Sequence, residues 1–281
     1  VTTKRNQGGT LEYYIKSEDE EEYKLIKTTT EEKYTYEGLI QNKKYSIKVI
    51  AVAENKKTAE VIAEQTTGKI VDLTEANAKF TYSPSGWTNG SVTATASTDV
   101  TGFTIQTSTD GKNWTSTASK TLDANGPVYA RLWDGTNAGG MLTGNVTAID
   151  KVAPAINTNL NISNVTTKSL TLNITTTDAN SGLGKIIWYY KKSTESSYKN
   201  IEQVYTQLNG KTAGATTQTT KTYTLDNLSS GTYDVYAEIY DVAGNKTTST
   251  VVNTTLAVIA VNNYNGVYDG SAHTATLSSN I

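Results

Sequence analysis

Aspartate and asparagine side chains in predicted turns are the groups of this sequence whose type and spacing suit metal binding. Asp178 and Asn180 stand in the segment TTTDANSGLG, and Asp241 stands in DVAGN. Carboxylate and amide oxygens are the ligands that Ca²⁺ prefers. Asp and Asn in turns also hydrogen-bond to their own backbone, and we prefer this second explanation for these loops. Calcium is therefore the single cofactor candidate, and we otherwise expect no cofactor and no metal ligand.

Hydrolytic catalysis lacks its usual side chains in this sequence. The chain has no Cys and one His, His273, whereas a serine or cysteine hydrolase needs a nucleophile, a base and an orienting acid. The same counts exclude zinc sites built from His and Cys. A carboxylate pair of the glycosidase type stays open, but the aspartates that can be placed all fall at predicted turns: Asp110, Asp134, Asp178, Asp226 and Asp241. We therefore expect no catalytic residues and no enzymatic activity.

Aromatic and cationic side chains form the remaining candidate contact surface. Tyr129, Arg131 and Trp133 alternate along one predicted strand, and Tyr236 and Tyr240 lie along another, each on the face opposite the inferred core. Such a stripe could bind a glycan or a protein. Cross-strand pairing of aromatic rings that stabilises the sheet is the preferred explanation.

Composition narrows the class of partner. The 281 residues carry a formal net charge of -2 with acidic and basic residues interspersed, so there is no long-range field to attract nucleic acid. No apolar run approaches the roughly 18 residues of a membrane span. We expect the partners to be other domains of the same longer chain, with a host or cell-surface glycan or protein as the external candidate.

The elements that must position these residues are strands. In GTYDVYAEIYDVAGNK, at residues 231–246, Tyr233, Val235, Ala237 and Ile239 share one face, which is the period-2 signature of a half-buried strand. The same alternation predicts further core positions at Tyr13, Ile15, Tyr23, Tyr45, Ile47, Val49, Ala51, Val128, Ala130, Leu132, Leu170, Leu172, Ile174, Ile186, Trp188 and Tyr190. The fold class is therefore all-β, built of tandem antiparallel β-sandwiches.

Motifs at domain-sized intervals resemble known repeat families. LIQNKKY at residues 39–45 resembles the tyrosine corner of fibronectin type III domains. Trp-Thr-Asn-Gly at residues 87–90, a predicted two-residue hairpin turn at Asp110-Gly111 and the D-G-T-N turn at residues 134–137 resemble bacterial Ig-like repeats of Firmicutes surface proteins. DANSGL and DVAGN resemble loops of bacterial fibronectin-like modules, and YNGVYDGSAHTATL at residues 264–277 resembles the start of an MBG repeat.

These resemblances imply domain borders and a role. We expect a partial fibronectin type III-like domain at 1–69, a bacterial Ig-like domain at 70–150, a fibronectin type III-like or Ig-like domain at 151–254 and the truncated start of an MBG-like domain at 255–281. They imply a non-enzymatic stalk or spacer of an extracellular bacterial surface protein. The alternatives are a phage virion appendage or adhesin that binds a host glycan or protein, and an accessory region of a secreted carbohydrate-active enzyme.

Overall fold

Strands are the regular elements throughout the part of the chain that the structure describes. The computed structural model describes residues 9–53, 56–257, 259–262, 266, 270–271 and 276–279. These residues contain twenty strands and no helix, and the ladders between the described strands run antiparallel. This confirms the all-β fold class. Within the same ranges, no helix is long and apolar enough to cross a bilayer.

The chain divides into two compact units. Unit 1 comprises residues 1–81, 94–120 and 127–145, and unit 2 comprises residues 82–93, 121–126 and 146–281. The predicted second domain, residues 70–150, contributes to both units. The domain borders expected from the sequence therefore stay predictions.

The first part of unit 1 is a single sheet with strand order β2-β1-β3-β4. Its strands are β1 (Thr10–Ser17), β2 (Lys24–Thr29), β3 (Lys44–Ala53) and β4 (Lys56–Thr66). Leu11, Tyr13 and Val49 form its buried core, and Tyr34 and Tyr36 from the segment after β2 pack against them. The core face of β1 and β3 therefore follows the predicted alternation.

Two tyrosines of this sheet test the sequence predictions. Tyr45 Oη accepts a hydrogen bond from Ile40 N at 3.1 Å, which is the predicted corner in which the phenol bonds back to the backbone. Tyr23 as a core residue is wrong, because its ring lies under the Lys48 ammonium, 4.5 Å away. A bulge shifts the β1–β2 register between Tyr13 and Tyr14. Such a shift moves the following residues to the other face of the sheet.

Residues 78–146 contain six strands in two sheets of three, with orders β5-β6-β8 and β10-β9-β7. They are β5 (Ala78–Ser83), β6 (Val92–Thr98), β7 (Thr104–Ser108), β8 (Ser119–Leu122), β9 (Gly126–Trp133) and β10 (Leu142–Val146). Val128, Ala130 and Leu132 of β9 are fully buried, as their alternation predicts. Ala96, Ala130 and Leu132 belong to one core cluster of unit 1.

The turn after β7 differs from the prediction. A two-residue hairpin at Asp110-Gly111 is wrong, because the chain first returns to β7 at a bridge between Thr107 and Thr115. The Asp110 carboxylate accepts hydrogen bonds from the backbone N–H groups of Lys112 and Asn113, both at 2.8 Å. This side-chain turn closes a longer loop than the dipeptide alone predicts.

Unit 2 contains a sandwich of two sheets. One has the order β11-β12-β15, and the other has five strands in the order β14-β13-β16-β17 with β18 also paired to β16. The strands are β11 (Ala155–Ser163), β12 (Leu170–Thr177), β13 (Leu183–Lys192), β14 (Lys199–Val204), β15 (Thr219–Leu225), β16 (Gly231–Asp241), β17 (Lys246–Thr248) and β18 (Val252–Leu256).

Both sheets of this sandwich contribute to one core. Leu172 of β12, Trp188 of β13 and Val235 of β16 are fully buried members of the same cluster. Tyr233 of β16 donates from its Oη to Ser229 O at 2.9 Å, so its phenol also bonds back to the backbone of the segment before its strand. The alternation predicted for β12, β13 and β16 is therefore confirmed.

The end of the chain contains β19 (Ile259–Asn262) and β20 (Thr276–Ser279), which pair antiparallel. Tyr264, Tyr268 and His273 of the MBG-like motif lie outside the described residues. The resemblance of this segment to an MBG repeat stays a prediction.

Candidate functional site

Three aspartates of unit 2 come together in a buried cluster. Asp150 precedes β11, Asp178 follows β12, and Asp241 ends β16. Each offers one carboxylate oxygen, and these oxygens all lie within 4.8 Å of one another. Asp241 is fully buried, and Asp150 and Asp178 nearly so. We call these three residues the aspartate cluster.

Local turn chemistry positions two of the three carboxylates. Asp241 Oδ1 accepts from Asn245 N at 2.8 Å and its Oδ2 accepts from Asn245 Nδ2 at 2.7 Å, which closes the β16–β17 hairpin. Asp178 Oδ1 accepts from Gly182 N at 2.6 Å and from Asn180 N at 3.3 Å. Both loops are therefore side-chain-capped turns, as the sequence predicts.

Asp150 joins the cluster through the loop that Asp178 closes. Asp150 Oδ2 accepts from Ser181 N at 3.0 Å, and its Oδ1 accepts from Asn180 Nδ2 at 3.2 Å and Val152 N at 3.0 Å. No sequence motif singled out Asp150, which stands in AIDKVAP between two predicted domains. Its position at a predicted domain border was the one indication in the sequence. Loops near such a border can meet when the chain folds, and their carboxylates then come together.

Burial and mutual repulsion shift the protonation of the aspartate cluster. Burial raises the pKa of Asp241 to about 6; hydrogen bonds from Asn245 lower it in part, and the charges of Asp178 and Asp150 raise it further. Burial also raises the pKa of Asp178. Burial alone would raise the pKa of Asp150, but hydrogen bonds from Val152, Ser181 and Asn180 outweigh it and hold that pKa below its ordinary value.

A buried group of three carboxylates needs a compensating positive charge or a proton. Asp150, Asp178 and Asp241 together offer the oxygen ligands that a divalent cation such as Ca²⁺ takes. Asn180 was only a candidate ligand, and its side-chain Nδ2 donates a hydrogen bond to Asp150 Oδ1. The turn hydrogen bonds account for the position of each carboxylate, so the same three residues also serve as structural caps.

Gly182 determines how closely the loop of the aspartate cluster can pack. Its φ is +76°, and a Cβ built there would lie 2.5 Å from the backbone carbon of Gly214. We expect Gly182→Ala to lower the free energy of unfolding by about 2 kcal/mol, the sum of left-handed strain and a backbone clash. Urea unfolding measures the loss.

Gly102→Ala is the matched control for Gly182→Ala. Gly102 has a φ of +86° but open space where a Cβ would stand. The Gly102→Ala variant therefore has the conformational cost without the clash, and we expect it to lose less free energy of unfolding than Gly182→Ala. Equal losses for the two variants would contradict the close approach of Gly182 to Gly214.

The predicted aromatic contact residues are engaged within the protein. In unit 1 the Arg131 guanidinium lies 4.1 Å from the Trp114 ring centroid and 5.4 Å from that of Trp133, and its Nε donates to Gln106 Oε1 at 2.9 Å. Tyr129 shares the strand β9 with Arg131 and Trp133. Stacking of this kind stabilises the sheet. A contact role for these residues stays a prediction.

A second aromatic group lies on the outer face of the five-stranded sheet in unit 2. Tyr236 stacks on Tyr189 with ring centroids 4.5 Å apart, and Tyr198 meets Tyr236 edge-on at 4.9 Å. Tyr240 Oη donates to Glu238 Oε2 at 3.0 Å. Cross-strand pairs account for these positions, and binding of a partner by Tyr236 and Tyr240 stays a prediction.

In unit 1 a set of side chains ties the first sheet to residues 137–138. Gln41 N donates to Asn137 Oδ1 at 3.0 Å, and Asn137 Nδ2 donates to Leu39 O at 2.6 Å. Gln41 Nε2 donates to Ala138 O, and Ile70 N donates to Gln41 Oε1, both at 2.9 Å. We call these residues the Gln41–Asn137 junction.

The Gln41–Asn137 junction was not predicted from the sequence, although a repeated turn motif indicates how Asn137 is positioned. Asp134 and Asn137 repeat the spacing of Asp110 and Asn113, and in both turns the Asp accepts hydrogen bonds from the Asn. Asp134 Oδ1 accepts from Asn137 N at 2.7 Å, which orients Asn137. These hydrogen bonds hold the pKa of the Asp134 carboxyl below its ordinary value.

In unit 2 residues 87–89 are tied to loops of the sandwich. Trp87 N donates to Gly210 O at 2.9 Å, and Asn89 N donates to Ala243 O at 3.1 Å. Asn245 Nδ2 donates to Asp150 O at 2.9 Å, so the loop that contains Asn245 also fixes the segment before β11. Within each unit, specific hydrogen bonds therefore fix these connecting segments.

These features define an all-β protein of serially connected antiparallel sheets. No protein-family model matches the chain, and no curated protein matches it. Among solved structures the chain is similar to the chicken CNTN1 FN1-FN3 domains, at 12% identity over 88% of each chain and a TM-score of 0.34. It is also similar to a stretch of titin domains, at 13% identity over 88% of each chain and a TM-score of 0.40. TM-scores this low carry no argument about function.

Proposed function

We propose that the chain is a non-enzymatic structural module array that acts as a stalk or spacer in a larger extracellular bacterial surface protein. The observation that carries this proposal is the Gln41–Asn137 junction. A spacer must hold successive modules in a set direction, and a flexible linker of Gly and Ser cannot do so.

The junction has the properties that a fixed connection requires. Its hydrogen bonds run in both directions, because Gln41 and Asn137 each donate and accept. All four bonds join neutral groups, so neither pH nor salt weakens them directly. Each such bond contributes about 1 kcal/mol, and several in parallel restrict bending more than one alone.

The structure offers a direct test of this rigidity. The chain has no Cys, so two introduced cysteines are the only sites for spin labels. Lys27 of β2 and Lys79 of β5 are exposed positions of unit 1 on either side of the junction. We expect a narrow distribution of label-to-label distances in the pair Lys27→Cys and Lys79→Cys.

Removing the junction side chains should widen that distribution. We expect Gln41→Ala combined with Asn137→Ala to broaden it clearly, because all four hydrogen bonds are lost. Gln65→Ala is the matched control, since Gln65 is exposed and its side chain donates to the neighbouring Thr66 O. A wild-type distribution as broad as that of the double variant would contradict a spacer role.

The surface location is supported by the resemblance of the turn motifs to repeats of bacterial surface proteins. Intact cells that express the parent protein should lose this region to an added protease while a cytosolic marker survives. If the region resists until the cells are lysed, the surface location is wrong even where the junction proves rigid.

A further inference from the structure

β4 is an edge strand with an open side. It is 11 residues long and pairs with β3 alone among the residues that the structure describes. Val61 is 61% exposed and its neighbour Ile62 is 50% exposed, so both faces of the strand present apolar side chains to solvent. A long, exposed, apolar edge strand is a template for pairing with another strand.

Charges along β4 are distributed so that the strand complements itself. Its sequence KKTAEVIAEQT places Lys56 and Lys57 at the start and Glu60 and Glu64 in the later part. Antiparallel pairing with an identical strand about Val61 makes Lys56 of one copy the diagonal neighbour of Glu64 of the other on the same face of the sheet. Parallel pairing would place like charges side by side, which destabilises a strand pair.

The other edge of the same sheet lacks this property. β2 has the sequence KLIKTT, with Lys24 and Lys27 and no acidic residue. Two copies of β2 would offer these lysines no acidic partner in either direction, so self-pairing gains no complementary charge there. The contrast between the two edges favours β4 as the contact.

We propose that β4 pairs antiparallel with β4 of a second copy of this chain, about a twofold axis near Val61. Such an interface is isologous, since the same strand serves both copies, and the two sheets become one continuous sheet. This inference goes beyond the spacer role and holds independently of it.

β4 makes ion pairs with other strands of its own sheet. Glu64 pairs with Lys44 at 2.6 Å, Glu60 with Lys48 at 3.7 Å, and Lys57 with Glu12 at 3.0 Å. Glu64 and Glu60 are both about half exposed. Exposed pairs of this kind contribute little to stability, so Glu64 can also face a lysine of a second copy.

Sedimentation equilibrium of the full chain tests the proposal. We expect the average mass to rise with concentration from 30.3 kDa toward twice that value.

Glu64→Lys should keep the chain monomeric at the same concentrations, because the introduced ammonium group would meet the lysines of the other copy. The combination Lys56→Glu and Lys57→Glu should do the same, and an equimolar mixture of the two variants should associate again. Glu22→Lys is the matched control, an equal change of charge in an exposed turn away from β4.

A cysteine at the proposed axis adds a second readout. Val61→Cys should form a disulfide-linked dimer on mild oxidation, whereas Thr28→Cys on the other edge should not. A wild-type chain that stays monomeric at all concentrations would overturn the proposal. Association of the Glu64→Lys variant equal to wild type would overturn it as well.

Discussion

Replacing Trp188 by alanine should lower the free energy of unfolding by about 3–5 kcal/mol, the cost of truncating a fully buried large aromatic residue. Trp188 is completely buried in the core of unit 2. Its indole Nε1 donates to Gln203 Oε1 at 2.7 Å. Alanine would leave a cavity between the two sheets and an amide acceptor with one partner fewer. Urea unfolding followed by fluorescence measures the loss.

Two controls separate burial from hydrogen bonding in that experiment. Trp114→Ala is the same change at a half-buried position. The Trp114 ring packs on the Arg131 guanidinium at the surface of the sheet. We expect it to cost about 1 kcal/mol. Gln203→Ala removes the amide oxygen that accepts from both the Trp188 indole and the Tyr205 hydroxyl, and it should cost a similar amount. Equal losses for Trp188→Ala and Trp114→Ala would show that Trp188 is not the centre of the core.

The second large effect is on the pH dependence of stability. Asp241 has its pKa raised to about 6 in the folded protein, against about 3.9 for an unperturbed aspartate. A group whose folded pKa is raised adds stability that is complete below the unfolded pKa and is lost as the pH rises through the folded pKa. We therefore expect stability to fall between about pH 4 and pH 6 to 7, by on the order of 3 kcal/mol in full.

Asp178→Asn isolates this contribution. Asp178 accepts backbone hydrogen bonds through Oδ1, so asparagine keeps that oxygen and removes one charge beside Asp241. The variant should be more stable than wild type near neutral pH, with a flatter profile. Urea unfolding in the presence of a chelator at a series of pH values measures both, and Asp226→Asn at an exposed turn is the control. A wild-type profile without a decline in this window would contradict the raised pKa.

The carboxylates at exposed turns should produce the opposite trend at lower pH. Hydrogen bonds from Asn113, Lys112 and Ser108 hold the pKa of Asp110 well below its ordinary value. Its stabilising effect is present above the ordinary aspartate pKa and is lost only in strong acid. The two trends occupy different pH windows, so the contribution of the aspartate cluster can be measured separately.

The alternation of side chains determined most of the core. Tyr13, Trp188 and Val235 are buried where period 2 places them, because successive residues of any strand face opposite sides of the sheet. The tyrosine corner at Tyr45 could also be predicted from local spacing, whereas the hydrogen bond of Tyr233 to Ser229 was not predicted, because the spacing from Leu228 to Tyr233 is one residue shorter. The position of Tyr23 could not be predicted in this way. One extra residue in β2 moves its neighbours to the other face of the sheet, and no sequence motif indicates that bulge.

Meeting points between distant segments were decided by the tertiary structure alone. Turn chemistry predicted Asp178 and Asp241 as capped turns, but their approach to Asp150 depends on how three loops pack. The same holds for Gln41 and Asn137, which are 96 positions apart in the chain. A residue's own turn or strand depends on its near neighbours, which the sequence states directly. Which loop it then meets depends on strand order and packing, and these are properties of the whole folded chain.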